Sequence, residues 1–122
     1  MFKSVGTVNY RRESIVLEVD PQISFYYQWF LSKEGIRFNK PMYPAHITII
    51  RKGEVEIYDS KYQDNVVEFS YSPGIRNDEM YFWVSIETNE IFEKIRLDYG
   101  LDWCYDKKKY YHMTIGNLKG LV

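Results

Sequence analysis

Two short runs constrain this chain more than anything else in it: AHITII, Ala45 to Ile50, and YHMTIG, Tyr111 to Gly116. In each, a histidine and a threonine interrupt an apolar stretch at alternate positions. Successive side chains on a strand point to opposite faces. His46 and Thr48 therefore share one face, and Ile47 and Ile49 share the other. The same holds for His112 and Thr114 against Met113 and Ile115. The fold must bury the apolar side of both strands and leave imidazole and hydroxyl on the opposite side. The chain holds two histidines and four threonines in 122 residues, and both histidines have threonine two positions on. That coincidence marks the two runs as a pair.

The surrounding sequence predicts an α+β fold with about six strands and two helices. ESIVLEVD, residues 13–20, reads as a buried strand. Asp20-Pro21 supplies an N-cap and a first-turn proline for a helix that ends near Gly35. Its apolar stripe is expected at Ile23, Tyr26/Tyr27, Phe30 and Leu31. HITIIRKGEVEIY predicts a hairpin about Lys52-Gly53. NVVEFSY and EMYFWVSIE predict two further strands joined by the turn-rich SPGIRND. TNEIFEKIRLDYG predicts a second helix closed by Gly100, and LDWCYDKKK a loop before the last strand. A helix thus precedes a His-x-Thr strand in each half.

The length suits one domain, residues 1–122. A formal net charge of −1 gives no basic field for long nucleic acid, whereas a small anionic ligand needs only a few local donors. The single cysteine, Cys104, excludes an intrachain disulfide and fits a reducing compartment. No apolar signal core or membrane-length run is present, so a soluble, cytoplasmic protein is expected, with no membrane partner. Twelve Tyr, seven Phe and three Trp suit a core with polar handles, with one or two rings left to stack on bases.

Two histidines without H-x-x-x-H spacing do not specify a metal site, and no local motif supplies a serine-type triad. Two satisfied core histidines are the plain alternative. Imidazoles facing one cleft suit phosphodiester cleavage, one taking a proton from the attacking oxygen and the other giving one to the leaving oxygen. His46, Thr48, His112 and Thr114 are the expected catalytic residues, the hydroxyls donating to phosphate oxygens. Trp83 and Lys109 are candidate substrate contacts; Trp83 also suits the core, and Lys107 to Lys109 a solvated loop. Tyr111 is expected to point away from His112. Arg51 falls on the face opposite His46 and is expected at the surface unless the strand bulges.

AHITII and HMTIGN resemble the paired H-x-[TS] motifs of the 2H phosphoesterase superfamily. Within it the chain is most similar to phage anti-CBASS nucleases, which destroy bacterial cyclic-oligonucleotide immune signals. GTVNY, VDPQISFYY, PAHITIIRKGE, YFWVSI and LDYGL carry that likeness over nearly the whole chain. The resemblance implies a two-lobed fold, antiparallel sheets with outer helices around a central groove. It also implies metal-independent, cofactor-free cleavage of 3′–5′ bonds in a cyclic di- or trinucleotide, in the host cytoplasm. Tyr10 matches the family's N-terminal tyrosine, an expected substrate contact. An RNA-end 2′,3′-cyclic or 2′–5′ phosphodiesterase and a non-catalytic nucleotide sponge are the alternatives. The pattern differs in two places: only five residues follow Asn117, and RKGEVEIY lacks an acidic-proline run. Both bear on which bases are read.

Overall fold

The computed structural model describes residues 1–105 and 110–121. Its elements run β1 (Phe2–Arg11), β2 (Ser14–Val19), α1 (Pro21–Lys33), β3 (His46–Ile50), β4 (Val66–Asn77), β5 (Tyr81–Ile86), α2 (Glu90–Asp98) and β6 (Tyr111–Asn117). The α+β expectation holds, and the order strand, strand, helix, strand occurs twice. The strands form one antiparallel sheet in the order β3-β2-β1-β4-β5-β6. Its two ends, β3 and β6, lie against each other, so the sheet curls nearly into a barrel and brings the two His-x-Thr strands together.

Local chemistry sets the helix ends. The Asp20 carboxylate accepts from the Gln22 N–H at 2.9 Å with Pro21 opening α1, and Asn89 caps α2 through the Ile91 and Phe92 N–H groups. Each helix reaches across to the other half's motif strand. From α1, Gln28 Nε2 donates to the Ile115 carbonyl at 3.1 Å. From α2, Arg96 Nη1 donates to the Ile49 carbonyl at 2.9 Å. Ile47, Ile49, Met113 and Ile115 are fully buried in the core beneath them.

The same irregularity follows both threonines. Thr48 pairs with Val16 but Ile50 with Ile15, leaving Ile49 as an extra residue. Thr114 pairs with Trp83 but Gly116 with Phe82, leaving Ile115 as the extra residue. A bulge reverses strand parity, and both Ile49 and Ile50 are buried as a result. Gly116 then packs so close to the Asn39–Asn117 bridge that a Cβ there would lie 2.7 Å from Phe38 Cδ2 and 3.0 Å from the Asn39 carbonyl.

Several sequence expectations are corrected here. The N-terminal segment is a ten-residue strand, β1, hydrogen-bonded to both β2 and β4. The hairpin expected over residues 46–58 does not form, because residues 51–60 contain no strand. The flank of β3 away from β2 already faces β6, and Glu54 is drawn inward to Arg96. Ser72–Asn77 of SPGIRND is not a turn between strands but the end of β4, whose pairing to β5 is irregular between Tyr71 and Ile75; Pro73 is tolerated at such a break. On α1, Tyr27 and Leu31 are buried as expected, but Tyr26 and Phe30 are exposed alongside Phe25 and Trp29. Ser24 and Gln28 take their place inside. No described helix is long and apolar enough to cross a membrane.

Candidate functional site

Parity along β3 and β6 is as the motifs require: His46, Thr48, His112 and Thr114 are half-buried, while Ile47, Tyr111 and Met113 between and beside them are buried. Apposition of β3 and β6 then builds a cavity of about 320 Å³ lined by Thr48, Arg51, Tyr81, Trp83, Tyr105, His112 and Thr114. One motif's hydroxyl thus meets the other motif's imidazole and hydroxyl. A separate hollow of about 360 Å³ between α1 and β4 is mostly apolar and holds none of the motif residues.

His46 does not line the cavity; it stands two residues before Thr48 on the same strand face, roughly 7 Å along β3. Its Nδ1 lies 2.8 Å from the Pro44 carbonyl oxygen. A carbonyl only accepts, so Nδ1 carries a proton and the neutral ring presents Nε2 as an acceptor. Burial lowers the His46 pKa below 6.5, against the Pro44 bond; Arg11 lowers it further and Glu18 opposes. Burial thus favours the neutral ring, whose Nε2 is the acceptor.

His112 stands beside two rings. Its centroid lies 6.5 Å from Trp83 and 6.1 Å from Tyr105, both edge-on. Its Nδ1 is 3.4 Å from the Tyr105 hydroxyl, a long contact in which the tautomer decides the donor. Trp83 sits opposite Thr114 in the β5–β6 register and is half-buried at the cavity wall.

Tyr10 is placed elsewhere. Its hydroxyl lies 2.8 Å from that of Tyr99 and accepts the Tyr62 N–H at 3.2 Å, while Tyr99 donates to Asp59. Burial pushes the Tyr10 phenol up. The residue packs within a tyrosine–carboxylate network and does not line the cavity. Lys109 lies outside the described residues, as do Lys107 and Lys108. Tyr111 points inward as expected, its hydroxyl donating to the Trp103 carbonyl. Cys104 is buried.

Three lining residues were not among those expected at the site. Arg51 turns into the cavity because the Ile49 bulge restores it to the face of Thr48. Tyr81 shares the parity of Trp83 along β5, a signal readable in YFW. Tyr105 arrives from a loop and has no local sequence signature.

The wall carries its own brace. Arg96, 2% exposed, makes two 2.9 Å bonds to Glu54 and donates to the Ile49 and Asp102 carbonyls. Burial pushes the Glu54 carboxyl up, but the Arg96 fork and the Arg51 N–H outweigh it and hold the carboxyl below its usual value. Glu54 accepts that N–H at 2.7 Å, so the brace fixes the backbone from which Arg51 projects. The Arg51 guanidinium lies 4.7 Å from the Tyr105 ring centroid, with Nη2 donating to the Tyr105 carbonyl at 3.1 Å.

Compared with family models, curated proteins and solved structures, the chain matches none of them.

Proposed function

We propose that the chain is a phosphodiesterase that cleaves 3′–5′ bonds of cyclic di- or trinucleotides by two-histidine acid–base chemistry, within a two-lobed 2H-type fold. The observation that carries this reading is the cavity that joins Thr48 of one motif to His112 and Thr114 of the other. Its aromatic walls, Trp83, Tyr81 and Tyr105, suit nucleobases, which stack on any ring face.

In this reading His46 Nε2 takes the proton of a ribose 2′-hydroxyl, and that oxygen attacks the adjacent phosphorus in line. The P–O5′ bond breaks, and His112 gives a proton to the departing 5′ oxygen. The products are a 2′,3′-cyclic phosphate and a free 5′-hydroxyl, so protons and bonds balance. Thr48 and Thr114 hydroxyls donate to the non-bridging oxygens as charge builds there. The fixed Nδ1–H of His46 and its lowered pKa favour it as base, which leaves His112 as acid.

The test is turnover of a panel of cyclic di- and trinucleotides in the presence of a chelator, with products resolved by chromatography. His112→Ala is expected to lower kcat by about 10² or more while retaining binding. An intact panel with folded wild-type protein refutes the reading. Turnover confined to RNA ends bearing 2′,3′-cyclic phosphate assigns the other substrate class, and binding without turnover makes the chain a sponge.

A further inference from the structure

The outer face of α1 is a sheet of rings. Phe25, Tyr26, Trp29 and Phe30 are each between 42% and 57% exposed. At about 200 Å² for a ring side chain, they leave about 400 Å² of aromatic surface in water, as much as the largest patch a monomer normally shows. The inward face of the helix is already filled by Ser24, Tyr27, Gln28 and Leu31, with Gln28 holding the Ile115 carbonyl. The fold therefore offers these rings no further burial, and cover for them has to come from outside the chain.

The geometry points to this face as the contact surface of a homodimer, two copies of α1 running in opposite senses about a two-fold axis. Residues four apart on a helix form a ridge. Phe25 and Trp29 make one, Tyr26 and Phe30 the next, and such ridges on identical helices interlock at about −50°, the commonest crossing. A two-fold contact needs a patch that fits itself, and this one carries hollows beside its protruding rings. On one flank Tyr26 and Phe30 border the 360 Å³ apolar hollow; on the other Phe25 borders one of about 250 Å³ against Met42 and Tyr43. Met42, Tyr43 and, beyond Phe30, Ile36 are themselves exposed. With them the apolar face approaches the roughly 800 Å² per partner that a stable interface buries.

Charge favours a second copy over a lipid surface. Lys33 is the one cation among the exposed positions of α1, and its Nζ lies 5.2 Å from the Trp29 ring centroid. The helix thus lacks the row of Lys and Arg with which an amphipathic helix settles on anionic lipid. In the two-fold arrangement the two Lys33 side chains stand at opposite ends of the contact, each toward Gln22 of the other copy, so no like charges meet.

Sedimentation velocity of the purified chain tests this from roughly 1 to 100 μM, since interfaces of this size associate at micromolar concentration or tighter. The wild-type chain is expected to reach twice the 14.7 kDa protomer. Trp29→Arg is expected to raise the dimer Kd at least tenfold with circular dichroism unchanged. Phe25→Ser, a milder change on the same ridge, is expected to raise it severalfold and decides alone if Trp29→Arg does not fold. Leu97→Arg, at an exposed apolar position on α2, is the control and is expected to leave the dimer intact. Wild-type chain that stays at 14.7 kDa throughout overturns the inference. A dimer that survives both α1 changes, or that Leu97→Arg weakens equally, also overturns it. Flotation with phosphatidylcholine–phosphatidylserine vesicles tests the other occupant: monomeric chain that floats, and ceases to on Trp29→Arg, makes the face a lipid contact and overturns the dimer.

Discussion

Glu54→Ala perturbs the brace behind the cavity wall, and its cost follows from burial. Arg96 is 2% exposed, and the Glu54 side chain 16%. Removing one partner of a buried ion pair leaves the other charge uncompensated, typically a loss of about 3–5 kcal/mol. Arg96 keeps its bonds to the Ile49 and Asp102 carbonyls, which places the expectation at the lower end, about 3 kcal/mol. A domain of this length has roughly 6–18 kcal/mol in total, so the loss corresponds to a fall in Tm of roughly 10 °C. Urea unfolding followed by circular dichroism measures it directly. Lys52→Ala is the matched control: its 3.1 Å pair with Glu13 is 79% and 56% exposed, and such pairs contribute about 0–1 kcal/mol. Equal, small losses for the two variants would refute the argument from burial. The Glu54 carboxyl sits below its usual pKa in the fold, so the unfolded chain binds the proton more readily. The brace's contribution is therefore complete above the ordinary glutamate pKa and declines as pH falls through the folded value.

The other predictions concern the base and a close approach. Because burial lowers the His46 pKa, the acid limb of kcat/KM against pH is expected with its midpoint below 6.5; a midpoint above 6.5, or a flat profile from pH 5 to 9, counts against His46 as base. Gly116→Ala is expected to destabilise by about 1–3 kcal/mol in urea melts, since the new methyl meets Phe38 and the Asn39 carbonyl. An unchanged midpoint would show that the Phe38–Asn39 segment yields freely.

Much of the site was legible because its signals are local. The alternation in HITI and HMTI fixed which side chains are buried and which half-exposed, and Tyr111 pointed away from His112 for the same reason. The Asp20 cap lies within one turn of the helix it starts, while the Asn89 cap was not singled out in TNEIFEKIRLDYG. β1 was missed because Val8 is its one large fully buried side chain, with Gly6 where neighbouring chain packs close. Its place at the middle of the sheet comes from pairing on both edges, which composition does not display. The exposed aromatics of α1 deceived the stripe because Ser24 and Gln28 find partners on β6 and so occupy the buried side.

The sequence by itself determined the two helices, the Asp20 cap and the face each motif side chain takes, because those depend on neighbours within a few residues. Tertiary structure alone decided that β3 and β6 meet, that Tyr10 joins a tyrosine network, and that Arg51 enters the cavity. These depend on strand pairing: a bulge exists only relative to a partner strand, and one extra residue there reverses every side chain beyond it.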